Sequence, residues 1–133
     1  MGRAAHTAQR GRKSERHVRL YGHELNCPAY RALSTDARAL LIELRWLYVG
    51  QKNEVFLSIR DMMQQLNAGQ KRAQKARDEL LEKGWIAVIE QGGFNRKTRH
   101  ATVYCLLNEP LDPQGKGKAP KDYMRWKLPE NSR

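Results

Sequence analysis

At 133 residues the chain is long enough for one compact domain and short for two. Hydrophobic residues make up 40% of it, which argues against wholesale disorder, and a net charge of +11 favours an acidic polymer as partner, nucleic acid ahead of an anionic membrane. No apolar run approaches the ~20 residues needed to span a bilayer, and the opening MGRAAHTAQRGRK lacks the apolar stretch of a secretory signal, so a cytoplasmic, nucleoid-associated protein is expected.

Residues 1–17 read as a flexible basic arm, in which Arg3, Arg10, Arg12, Lys13 and Arg16 face a single acid, Glu15. Arg10-Gly11-Arg12 resembles the Arg-Gly-Arg core of some minor-groove binders, with Lys13 where Pro would follow. Generic phosphate attraction is the plainer reading of this arm. Residues 18–107 read as the folded domain. A short helix is expected between Tyr21 and Cys27, and Pro28 suits the first turn of another that ends near Leu33. Ser34 should cap the main helix, with Asp36 favourably placed in its first turn. Along that helix Ala37, Leu40, Leu41, Leu44 and Leu47 form one apolar stripe, and Ala39, Ile42, Trp46 and Val49 form a second. A surface helix needs one stripe, so the second should be covered, preferably by residues 18–33 or the C-terminal tail, otherwise by another subunit.

Val55 to Leu57 reads as a short strand. Ser58 and Asp61 fit a capping box, and Met62, Met63 and Leu66 give the next helix its apolar face. Asn67-Ala68-Gly69 is a turn, and a longer basic helix follows from about Gln70 to Lys83, stopped by Gly84. Trp85 to Glu90 and Ala101 to Leu107 read as strands joined through the Gly92-Gly93 region. The tail, residues 108–133, is rich in Pro, Gly and Lys, with Tyr123, Met124 and Trp126 marking one segment, near 120–127, that docks. This order is that of a helix-turn-helix followed by a β-hairpin wing: a mainly α, α+β winged helix-turn-helix.

On the helix after the turn, Ala73, Ala76 and Leu80 should face inward, leaving Lys71, Gln74, Lys75 and Asp78 on the opposite face. Gln can pair with adenine through two hydrogen bonds and Lys can reach guanine acceptors. Gln70 opens the helix, and Arg72 and Arg77 flank the outward face, better placed for phosphates. The cations occupy the first part of the helix and Asp78, Glu79 and Glu82 follow, the reverse of what a free helix prefers by roughly 0.3–1 kcal/mol per charge. Phosphates beside the N-terminal half would invert that preference. The wing tip adds Asn95, Arg96, Lys97 and Arg99, which can lie along the backbone or enter the minor groove. Phe94 braces the hairpin, and His100 reads as a surface residue.

Enzymatic chemistry finds no support. The four histidines (His6, His17, His23 and His100) form no metal-ligand spacing, and His23 with Cys27 supplies only two ligands. There is no phosphate loop and no nucleophile set, so neither a cofactor nor a metal is expected. Cys27 and Cys105 form no spaced motif, and Cys105, alternating with Val103 and Leu107, reads as an inert buried strand residue.

Taken together, HVRLY (17–21), PAYRALS (28–34), ARALLIEL (37–44), the LS-x-R beginning at Leu57, ELLEKGWI (79–86), KTRHAT (97–102) and KDYMRW (121–126) are specific. Across about residues 17–127 the chain resembles a family of small bacterial winged helix-turn-helix proteins often found near prophage and plasmid genes. The resemblance implies double-stranded DNA as partner, in transcriptional control or in replication of a mobile element. Where relatives have Ser or Thr to cap the recognition helix this chain has Gly69, and where they often have Thr it has Arg72, which on this resemblance would replace the hydroxyl contact to phosphate. KDYMRW has no assigned role, and packing against the second stripe is the default. A homodimer, a transcription or replication protein as partner, and an adaptor role without DNA reading stay open. A dimer would read half-sites about one helical turn, or a multiple of it, apart.

Overall fold

The computed structural model describes residues 15–50, 52–90, 93–94, 99–112 and 116–130. Two single-turn helices, α1 (Gly22–Leu25) and α2 (Pro28–Arg31), lead into the main helix α3 (Thr35–Leu47). Pro28 sits in the first turn of α2, where its missing N–H costs nothing. Ser34 caps α3 by accepting from the Ala37 N–H at 3.2 Å, an interaction worth ~1 kcal/mol. Strand β1 (Val55–Phe56) then precedes α4 (Ile59–Leu66), whose capping box joins Ser58 and Asp61 in both directions. Asn67, at φ 52°, turns the chain in the left-handed region that Asn tolerates, and α5 (Gln70–Glu82) follows after Gly69.

Four further strands follow, β2 (Ile86–Glu90), β3 (Gly93–Phe94), β4 (Arg99–His100) and β5 (Val103–Leu106), where a wing is expected. β5 lies between β1 and β2, antiparallel to both, with Val55 opposite Tyr104 and Ala87 opposite Cys105. A bulge interrupts the β2 register between Val88 and Glu90, and Gly93–Phe94 pairs with Arg99–His100 further out. β1 is short, but Asn53 extends its ladder from the preceding loop. Its buried amide accepts from the Leu106 N–H and donates to the Leu106 carbonyl, both at 2.7 Å. A side chain there does the pairing of an extra strand residue.

The core joins Leu40, Leu41 and Leu44 of α3 to Met62, Ala73, Ala76 and Leu80, and continues through Trp85, Ile86, Tyr104 and Leu106. Each of the large side chains contributes roughly 1.5–3 kcal/mol by leaving water. The alanines, wholly buried, let α5 lie close against its neighbours. Cys105 is buried on β5, and burial pushes its thiol up.

Two packing expectations are corrected. The second stripe of α3 is not covered by the described residues of the chain itself: Ala39 is exposed, Ile42 is half-buried, and Trp46 and Val49 remain 41% and 68% exposed. The reason is Arg45, which lies beside the first stripe and is itself buried, donating two hydrogen bonds to the Glu24 carboxylate at 2.7 and 3.0 Å. Residues 18–33 thus pack over the Arg45 side of α3 instead. Of the second stripe, Trp46 is met by the Arg16 guanidinium, 3.9 Å from its ring centre, which also bonds the Trp46 carbonyl. The second correction concerns KDYMRW. A 3-10 turn, Asp122–Arg125, docks away from that stripe: Tyr123 stacks on Trp85 at 4.0 Å and donates to Glu24 at 3.0 Å. Gly84 makes this possible, because its φ is 84° and a Cβ there would lie 2.8 Å from Asp122 and the Tyr123 nitrogen.

Candidate nucleic-acid interface

Helices α4 and α5 and the turn between them carry the candidate surface. The period of α5 places Ala73, Ala76 and Leu80 fully inside. Lys71, Lys75 and Asp78 are exposed opposite them, with Gln74 half-buried, and Gln70 is exposed at the helix start. Gly69 supplies no side-chain cap. The N–H groups of the first turn therefore keep their capacity for an outside acceptor, at the end of the helix that carries partial positive charge. Arg60, Gln64, Asn67, Gly69 and Arg72 line a shallow hollow beside this end. Arg60 was not singled out from the sequence as a contact residue, although it is the Arg of the LS-x-R motif. Its position in that motif was the available signal.

One flank of α5 is fastened to the start of α3 by two polar rungs. Glu79 accepts from the backbone N–H of Ser34 at 2.8 Å and from its hydroxyl at 2.7 Å. Two turns earlier, Arg72 meets Asp36 edge-on: Nε donates to Oδ2 at 2.9 Å and Nη2 to Oδ1 at 2.8 Å. The guanidinium hydrogen bonds, aided by the charges of Arg72 and Lys75, hold the Asp36 carboxyl below the usual carboxylate range, and the same pair raises Arg72. The reversed charge order of α5 thus has a cause inside the protein as well: Glu79 sits late in the helix because Ser34 is there to meet it.

Arg77, on the other flank, is less free than its position suggests. It donates to Asp78 at 2.9 and 3.1 Å and also bonds Tyr104, leaving its side chain 25% exposed. Burial raises the Tyr104 hydroxyl while Arg77 opposes that rise. Lys71 and Lys75 make no ion pair among the described residues.

Asn95, Arg96 and Lys97 of the wing, and Arg10, Arg12 and Lys13 of the arm, lie outside the described residues; Arg99 is placed by its backbone alone, in β4. Among the described residues no group of three His, Cys, Asp or Glu side chains could hold a metal ion, and no helix is long and apolar enough to cross a membrane.

No curated protein and no solved structure matches the chain. Residues 30–86, from α2 through the start of β2, match the family model described as a helix-turn-helix domain, which supports DNA as the partner. The fold, α4–turn–α5 with a small antiparallel sheet of β1, β5 and β2, is mainly helical and consistent with a winged helix-turn-helix.

Proposed function

We propose that the protein binds double-stranded DNA sequence-specifically, with α5 in the major groove and the wing on the backbone or minor groove, and acts as a transcriptional regulator. The observation that carries this reading is the Lys71–Gln74–Lys75 face, its lysines exposed and Gln74 half-buried, directly after an uncapped helix start. Such a face can address base edges while the helix end and neighbouring cations take phosphates. The basic groups of helix and wing make affinity strongly salt-dependent.

The test is selection of bound sequences from a random double-stranded DNA pool at physiological salt. An enriched motif, lost when Gln74 and Lys75 are both changed to Ala, supports a sequence reader. Inverted half-sites would indicate a homodimer, whereas tandem copies would favour replication initiation over transcriptional control. Retention without enrichment removes the specific reading, and no retention even at low salt removes DNA binding, leaving a protein partner to be sought.

A further inference from the structure

The geometry points to Arg72 as a guanine-reading residue that Asp36 holds in place, rather than a phosphate clamp; this rests on the DNA-reading function proposed above. A guanidinium carries five N–H groups. Asp36 engages one edge of it, the Nε–H and one N–H of Nη2. The outer edge, formed by Nη1 and the second N–H of Nη2, keeps two parallel donors. Two parallel donors match the paired O6 and N7 acceptors that guanine presents in the major groove.

Charge decides between guanine and phosphate as the occupant of that edge. A phosphate oxygen pair there would approach the Asp36 carboxylate across a single guanidinium, so part of its attraction to Arg72 would be cancelled by like-charge repulsion. The guanine acceptors carry no net charge and feel no comparable repulsion. Placement agrees. Arg72 stands in the first turn of α5, the part of a recognition helix that reaches base edges, and its side chain is 62% exposed although paired. Asp36 is fixed in turn, since it belongs to the first turn of α3, next to the Ser34–Glu79 rung. The long Arg side chain is therefore oriented before DNA arrives, which lowers the ordering cost of binding. Asp36 is a positioning residue here, and Arg72 is the one that would touch the base.

Full-length wild type, Arg72→Lys and Asp36→Asn are each put through selection from the random pool. Affinities are then measured on the selected site, on single-base variants and on random DNA over a range of salt. Urea unfolding midpoints equal to wild type identify the variants as folded, and Arg72→Lys keeps the charge while losing the fork. The expected result is a wild-type preference for guanine at one position, by about tenfold or more. Both substitutions should abolish it while the preferences elsewhere in the motif stay. Asp36→Asn should also tighten binding to random DNA and steepen the logarithmic salt dependence by about 0.9, as Arg72 is released to a phosphate. The inference is overturned if both variants select the wild-type motif, or if Arg72→Lys and Asp36→Asn change affinity equally for every sequence. Those outcomes leave DNA reading by the rest of α5 intact. A wild type that selects no motif removes sequence reading itself, and this inference with it.

Discussion

The molecule uses the same arginine–carboxylate pair in two settings. Arg45 and Glu24 lie in the interior, their side chains 5% and 1% exposed, while Arg72 and Asp36 lie at the surface, 62% and 25% exposed. In water such a pair stabilises a fold very little, because both ions are nearly as well solvated apart. In the interior, removing one partner strands the other without solvent, and the cost is large. The inner pair therefore ties α1, α3 and the Tyr123 turn into one unit. The outer pair adds little to stability and instead fixes the direction of an exposed arginine.

The sharpest way to break this comparison is Arg45→Ala, which should lower unfolding free energy in urea by about 3–5 kcal/mol. Glu24→Leu combined with Arg45→Met should recover most of that loss; if it does not, the pair does more than satisfy itself. Gly84→Ala comes next. It needs an unfavourable φ and pushes on Asp122 and Tyr123, so it should cost more than ~1 kcal/mol and loosen the Trp85–Tyr123 stack, read by thermal unfolding and tryptophan fluorescence. Ser34→Ala removes the cap of α3 and the hydroxyl partner of Glu79, for ~1 kcal/mol in the same unfolding assay. Asp36→Asn should leave the urea midpoint unmoved, in contrast to its effect on DNA preference.

Acid sharpens the contrast further. Burial alone would raise the Glu24 carboxyl, but hydrogen bonds from Arg45, the Tyr21 N–H and the Tyr123 hydroxyl, with the Arg45 charge, hold it below its ordinary value. A carboxyl that titrates lower in the folded chain contributes its full stability above its ordinary range, and the contribution is lost as pH falls through the folded value. Stability should thus decline with acid from about pH 4 downward. Glu24→Gln, measured in urea across that range, should flatten this part of the profile.

Local chemistry was legible in the sequence. Ser34, the Ser58–Asp61 box, Asn67 and Gly84 each mark a terminus or turn through their own backbone preference, and Ala73, Ala76 and Leu80 announce the inner face of α5 by period alone. The long-range polar pairs were not. Glu24 and Arg45 are separated by 21 positions, and no local pattern joins them until α1 is laid across α3. The apolar period of α3 misled for the same reason: a buried Arg45 took the side that Trp46 and Val49 were expected to fill. The Arg72–Asp36 pair was hidden too, because the register that brings α5 against Asp36 is set by tertiary packing. Asn53 gave no signal of its own, since nothing in its neighbours tells that its amide enters the ladder.

Asn53 has a consequence for how copies of the chain can meet. An edge strand is a template when it offers a row of open main-chain groups to a second chain. Here β1 is two residues long, and beyond it the Leu106 N–H and carbonyl are already taken by a side chain. The opposite edge, β2, is bent by its bulge. Growth of this three-stranded sheet from one molecule to the next is disfavoured at both borders, which protects the chain from fibrous self-association at high concentration.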